Sequence, residues 1–214
     1  MKHASKALAL AFVCAASPAL AGPMSEQGYR YGQTDWSGPY LSFGLSHTST
    51  SFSTNTAFNP ASASGTGASV ILGYNLQQDN IVYGAEVLAN VGSIRGSSIG
   101  CGLGVSCSSS VGNYLAARIR VGLSLGATLV FGTLGYVSDE QDHTVNGTTA
   151  SSRRHSGPTI GIGVEHALSD TWSVRGDLEY YRFNSELYAL PNPAGSTKIR
   201  PSHTAARVGI SYRF

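Results

Sequence analysis

Residues 205–214 read Ala-Ala-Arg-Val-Gly-Ile-Ser-Tyr-Arg-Phe, and the two parities of that run differ in chemistry. Ala206, Val208, Ile210, Tyr212 and Phe214 are apolar, while Ala205, Arg207, Gly209, Ser211 and Arg213 between them are small or polar. Side chains alternate faces along a strand, so the run is a strand with one apolar and one polar face. A helix would scatter both sets around its circumference.

The same period of two runs outward through the chain. Leu41, Phe43 and Leu45 alternate with Ser42, Gly44 and Ser46; Ala68, Val70, Leu72, Tyr74 and Leu76 alternate with Ser69, Gly73 and Asn75. Ile81, Tyr83, Ala85, Val87, Ala89 and Val91 enclose Gly84, Glu86, Asn90 and Gly92, and Leu115, Ala117, Ile119 and Val121 enclose Arg118 and Arg120. Ile160, Ile162, Val164 and Leu168 alternate with Gly161, Gly163 and Glu165; Trp172, Val174, Leu178 and Tyr180 alternate with Ser173, Arg175, Asp177 and Glu179. Residues 128–137 are apolar and Gly-rich, and alternation alone does not assign their faces. Each of these eight segments has about the ten residues that a tilted strand needs to cross a bilayer.

Val121–Ser138 is free of charge and long enough to compete as a membrane helix. Its Gly122, Gly126, Gly132 and Gly135, with β-branched neighbours, make a poor helix, so it reads as a hairpin turning at Leu125-Gly126-Ala127. Gln78-Asp79-Asn80 and Ser169-Asp170-Thr171 are tight turns of the same kind. Between the tight turns lie long stretches rich in Ser, Thr, Asn, Gly and Pro, near 48–65, 93–110, 138–156 and 184–202. Short turns at one end and long loops at the other predict an all-β fold: an eight-stranded antiparallel up-and-down transmembrane β-barrel with short periplasmic turns and four long extracellular loops. Lipid offers no hydrogen-bond partners, so the sheet must close. Side chains just fill the lumen of eight strands.

Composition agrees. Only 12% of the 214 residues are charged, 26 are Gly, and the net charge of +2 leaves no basic stripe for nucleic acid. Lys2, His3 and Lys6, an apolar Ala7–Ala16 and the small-residue site ending at Ala21 form a secretory signal, which predicts cleavage before Gly22. Losing Lys2 and Lys6 leaves 12 basic and 12 acidic residues. Residues 22–35 then form a flexible periplasmic lead-in, and 36–214 the barrel domain. Cys101 and Cys107 survive cleavage as a close pair in an exported chain, so a disulfide is expected; a zinc site lacks further ligands nearby.

Glu86, Arg118, Arg120, Glu165, Arg175, Asp177, Glu179, Arg207 and Arg213 all fall on the inward parity. An Arg facing lipid at the midplane would cost about 2–4 kcal/mol, which fixes that register. The cluster reads either as a gated ion path or proton relay, or as a salt-bridged plug; its near balance of charge and the narrow bore favour the plug. Arg182 is the exception, on outward parity at a strand end where it can snorkel to lipid phosphates. The tyrosines, Trp36, Trp172 and Tyr188 read as interfacial girdles.

Catalytic chemistry finds little support. Ser202 and His203 are adjacent and point to opposite faces of a strand, and His47 lies on the lipid-facing column. Asp139, Glu140, Asp142 and His143 could offer oxygen ligands to a cation, and read more simply as a solvated loop that Arg153 and Arg154 face. Those arginines could equally meet lipopolysaccharide phosphates. Asn146-Gly147-Thr148 fits a glycosylation sequon or a turn. No phosphate loop or dinucleotide fingerprint occurs, so neither a cofactor nor an enzyme is expected.

Several motifs together resemble the small porin-like, opacity-type outer-membrane β-barrel proteins of Gram-negative bacteria. They are Trp36-Ser37-Gly38-Pro39-Tyr40, Gly84-Ala85-Glu86, Ala117-Arg118-Ile119-Arg120-Val121-Gly122, the run from Gly161 to Ser173, and Arg207 to Phe214. The Cys101/Cys107 loop and His166 depart from the pattern. The resemblance implies insertion by the outer-membrane assembly machinery, which would read Val208, Ile210, Tyr212 and Phe214. It also implies roles in envelope integrity or surface interaction with an extracellular ligand, and no family-wide catalytic residue. A narrow pore, and more remotely a lipid-modifying enzyme, remain the alternatives.

Overall fold

The computed structural model describes the backbone over residues 34–54, 62–92, 94–99, 106–145, 148–191 and 194–214, with side chains over 34–53, 62–92, 113–139, 154–186, 198 and 200–214. Ten strand segments follow in order: β1 (Gly38–Thr54), β2 (Ala63–Gln78), β3 (Ile81–Gly92), β4 (Ile94–Ile99), β5 (Ser106–Leu125), β6 (Thr128–Val145), β7 (Thr148–Ala167), β8 (Trp172–Arg182), β9 (Glu186–Pro191) and β10 (Ala194–Arg213). Segment β4 continues β3 along β5, and β9 continues β8 along β10, so the ten make eight staves. Every neighbouring pair is antiparallel, and β1 pairs both β2 and β10, from Tyr40↔Arg213 to Thr54↔Ile199. The sheet is therefore closed, and the barrel expected from the alternation is the fold. No described helix is long and apolar enough to cross a membrane, and Val121–Ser138 is the β5–β6 hairpin.

The tight turns fall where the sequence puts them. Asp79 takes a positive φ of 55° and Gly126 one of 67°, the conformation each two-residue reversal needs. Ser169 Oγ accepts the Trp172 amide at 3.0 Å to shape the third.

The four long connections are themselves largely strand. β1 and β2 run well into 48–65, β4 and β5 into 93–110, β6 and β7 through 138–156, and β9 and β10 through 184–202. Above the lipid, neither face of a hairpin must be apolar, so the alternation that marks a strand fades while the ladder continues. Cys101, Asn146 and Gly147 lie outside the described residues, as do the side chains of Cys107, Glu140, Asp142, His143, Arg153 and Tyr188.

The wall sorts residues by parity. Leu45, Leu72, Ile119, Leu134, Ile162, Val208 and Phe214 stand exposed on the outside. The segment left unassigned resolves the same way, with Val130, Leu134 and Tyr136 outward and Leu129, Phe131, Thr133 and Val137 inward. Trp172 is exposed and stacks edge-on against Tyr212 at 5.0 Å, and Tyr212 meets Phe214 at 5.1 Å, an aromatic belt at the short-turn rim. Trp36 is a correction. It is fully buried, entering the barrel from below to pack with Val82, Leu129 and Phe131, and is no girdle residue. Its amide donates to Gln77 Oε1 at 2.8 Å, which pins the chain as it enters β1. Tyr40, Tyr114 and Tyr181 likewise point inward.

Candidate functional site: the filled lumen

Three layers fill the interior. The floor is Trp36, Val82, Leu129 and Phe131. The roof gathers Ile71, Leu88, Tyr114, Val137, Tyr181 and Phe183, while Tyr40, of the same cluster but paired with Arg213 in register, stands below it. His203 stacks on Phe183 at 4.6 Å there, and His155 meets the same ring edge-on.

Ions form the layer between. Strand pairing sets Glu86 opposite Arg118, Glu165 opposite Arg175, and Asp177 opposite Arg207, so acid and base start as cross-strand neighbours. Arg118 then bridges Glu86 and Glu179. Arg120 reaches Glu165 at 3.0 Å and Glu86 at 3.3 Å. Arg175 grips both oxygens of Glu86, at 2.8 and 3.1 Å, and Asp177 at 2.8 Å. Arg207 donates to Glu179 at 2.7 Å. Four guanidinium groups thus meet four carboxylates, and the layer is neutral. All eight residues are less than a tenth exposed.

Hydroxyls add to the carboxylates' shell. Ser173 Oγ donates to Glu165 and Thr159 Oγ1 to Glu179, each at 2.6 Å. Tyr40 donates to Glu86, and Tyr181 donates to Glu179 at 2.9 Å. Arg207 Nη2 donates to Tyr114 Oη at 3.1 Å and also reaches Tyr181. Phe131 rises from the floor with its ring 3.9 Å from the Arg120 guanidinium and 4.7 Å from that of Arg175, which ties the layers together by cation–π contact.

Room for this comes from the inner glycines. Across the ladder Glu86 faces Gly73, Arg120 faces Gly84, Arg118 faces Gly135, Glu179 faces Gly161, Asp177 faces Gly163 and Arg175 faces Gly209. A Cβ on Gly73 would strike the Tyr40 ring, and one on Gly163 the Phe131 ring.

Of the nine inward charges named from the sequence, eight meet in this layer. Arg213 sits apart on the floor, where it donates to the carbonyls of Asp170 and Ser169 at 2.9 and 3.2 Å and lies 4.5 Å over the Trp36 ring. Sequence reasoning missed Phe131, because its segment carries no charge to mark the inner parity. It also missed Tyr40 and Tyr181 as inward hydroxyls, although Tyr181 follows Glu179 by two and Tyr40 precedes Ser42 by two.

Other candidates fall elsewhere. Ser202 and His203 occupy opposite faces, His203 being buried while Ser202 Oγ donates to the Ser51 carbonyl. His47 is exposed on the outer wall. Asp139 corrects the loop reading, since it lies in β6, buried toward the lumen and opposite His155 in register. Among the described residues no cluster of His, Cys, Asp and Glu could hold a metal ion. His166 is exposed, hydrogen-bonded to Thr128 at 2.9 Å.

Comparison with known proteins follows the same lines. Residues 7–214 match the family described as outer membrane protein beta-barrel domain. The 25 kDa outer-membrane immunogenic protein of Brucella abortus is 32% identical over 148 residues, a stretch covering 69% of this chain and 65% of that protein. The match thus spans just under two thirds of that relative's length. The 22 kDa outer membrane protein of Rhizobium leguminosarum is 31% identical over 156 residues, covering 70% of this chain and 67% of the relative. The crystal structure of the outer membrane protein OprG from Pseudomonas aeruginosa superposes with a TM-score of 0.54 at 14% identity, covering 86% of this chain and 98% of that one. At that identity the likeness is one of fold.

Proposed function

Because the chain belongs to the outer membrane protein β-barrel family, matched from residue 7 to residue 214, we propose that it acts in the outer membrane without catalysis, as an envelope-stabilising barrel with surface-exposed hairpins and a plugged lumen. The observation that carries this is the neutral ion-pair layer sandwiched between an apolar floor and an aromatic roof. A water-filled pore keeps charged side chains hydrated. Here each carboxylate of the layer accepts from a guanidinium, and Glu86, Glu165 and Glu179 also accept from hydroxyls, which supports a self-neutralising plug.

The hairpins supply the outward role. They project past the lipid at the rim opposite the tight turns, and relatives described as outer-membrane immunogenic proteins fit such exposure. Their ligand is an extracellular molecule that the long hairpins would select. Biogenesis uses the outer-membrane assembly machinery reading Val208, Ile210, Tyr212 and Phe214, and Cys101 and Cys107 form a disulfide. Secretion depends on the signal sequence ending at Ala21, ahead of the 22–35 lead-in.

Deleting the gene tests the reading. The expected result is greater sensitivity to detergents and large antibiotics, with unchanged uptake of small solutes and an unchanged lipid A mass profile. Slower solute uptake would replace the plug by a channel. A changed lipid A profile would replace it by an enzyme.

A further inference from the structure

The outer wall carries its own small set of charges. Among described strand side chains, Arg154, Arg182, Lys198 and Arg200 face outward, and all four are basic. They share one side, β7, β8 and β10, and one end, that of the long hairpins. Arg154 lies opposite Glu140 in register and is set aside. Arg182 and Arg200 have no carboxylate within salt-bridge distance among the described residues.

Their level is fixed by the columns they end. On β8 the outward side chains run Trp172, Val174, Leu178, Tyr180 and then Arg182. On β10 they run upward from Phe214 through Ile210, Val208 and Ala206, then turn polar at Thr204, Ser202, Arg200 and Lys198. Arg182 pairs with Ser202, so Arg200 is its diagonal neighbour, about 7–8 Å away. Two guanidinium groups at that spacing can converge on one phosphate, and they stand where lipid headgroups lie.

Below them is a furrow. Leu45, His47, Thr66, Gly67, Ala206 and Val208 line an open groove of about 610 Å³ where β10, β1 and β2 adjoin. Ala206 makes its bed, with Leu45 and Val208 as apolar flanks and His47 and Thr66 beside them. Ala206 lies four residues below Ser202 on the same strand, about 13 Å along it.

We propose that Arg182 and Arg200 clasp a phosphate of outer-leaflet lipopolysaccharide, one of whose acyl chains lies in the furrow beside Ala206. Positive charge meets a lipid whose headgroup is anionic, at headgroup depth, above an apolar groove that continues into the bilayer. The inference rests on the outer-membrane placement and hairpin orientation of the proposed function, and is independent of whether the lumen conducts.

Native mass spectrometry of the full chain extracted from its membrane tests this, using bisphosphorylated lipid A against the same lipid dephosphorylated. The wild type should retain the phosphorylated lipid about tenfold better, as loss of one or two charge-assisted hydrogen bonds implies. Arg182→Gln/Arg200→Gln should abolish that preference while unboiled gel migration still reports a folded barrel. Asn113→Gln, on the outer wall of β5, should keep it, and millimolar inorganic phosphate should not displace the lipid. Ala206→Trp, which fills the furrow, should lower retention of both lipids. Equal retention of the two lipids by the wild type would overturn the proposal whether or not the double variant folds. So would a preference that survives in the folded double variant, is lost in Asn113→Gln, or is displaced by free phosphate.

Discussion

The inner and outer faces of the barrel wall are built from alternate residues of the same strands and follow opposite rules. Ile119 is 57% exposed, while its neighbours Arg118 and Arg120 are 3% and 1% exposed. Val87 faces out beside Glu86, which faces in. In a water-soluble domain the sorting would be reversed. Lipid rewards the outward apolar column, and the lumen tolerates charge only because it carries equal numbers of acids and bases within reach of one another. The outer wall teaches the converse: its charges keep to the rim, where water and headgroups can meet them.

Substitutions probe that contrast in order of size. Glu86→Ala removes a carboxylate shared by Arg118, Arg120 and Arg175. Urea unfolding of the refolded barrel should show a loss of about 3–5 kcal/mol, as for a broken buried pair. Ile119→Arg places on the outside the group its neighbours carry inside, and should cost about 2–4 kcal/mol in a lipid bilayer. Ser173→Ala deletes one hydrogen bond to Glu165 and should cost about 1.5–3 kcal/mol in the same assay. Arg182→Gln, at the outer rim, should shift stability by less than about 0.5 kcal/mol. If Arg182→Gln proved as damaging as Glu86→Ala, the distinction between the buried, ion-paired inner arginines and the exposed arginine of the rim would fail.

Much of this was legible in the sequence, because a lipid-facing strand must alternate and a closed barrel must repeat that alternation. The eight inner charges that meet in the ion layer follow from parity alone, since lipid excludes them from the other face. What was hidden lies where parity has no charged or lipid-facing marker. Phe131 lies in a run without charge, so nothing distinguished its inward face. Trp36 precedes the first strand, and only the closed barrel shows that its ring fills the floor. The β1–β2 hairpin beyond Ser46 is rich in Ser, Thr and Gly on both parities, and its strands left no periodic trace. Asp139 looked like a loop acid for the same reason.

The closure of the lumen can be measured directly by single-channel recording of the protein in a planar bilayer. The ion layer predicts no stable open-channel current for the wild type, with Glu86→Ala admitting current once Arg118, Arg120 and Arg175 lose their common anchor. A steady unitary conductance from the wild type, abolished by Arg118→Glu, would contradict the plug and make the same residues the lining of a pore.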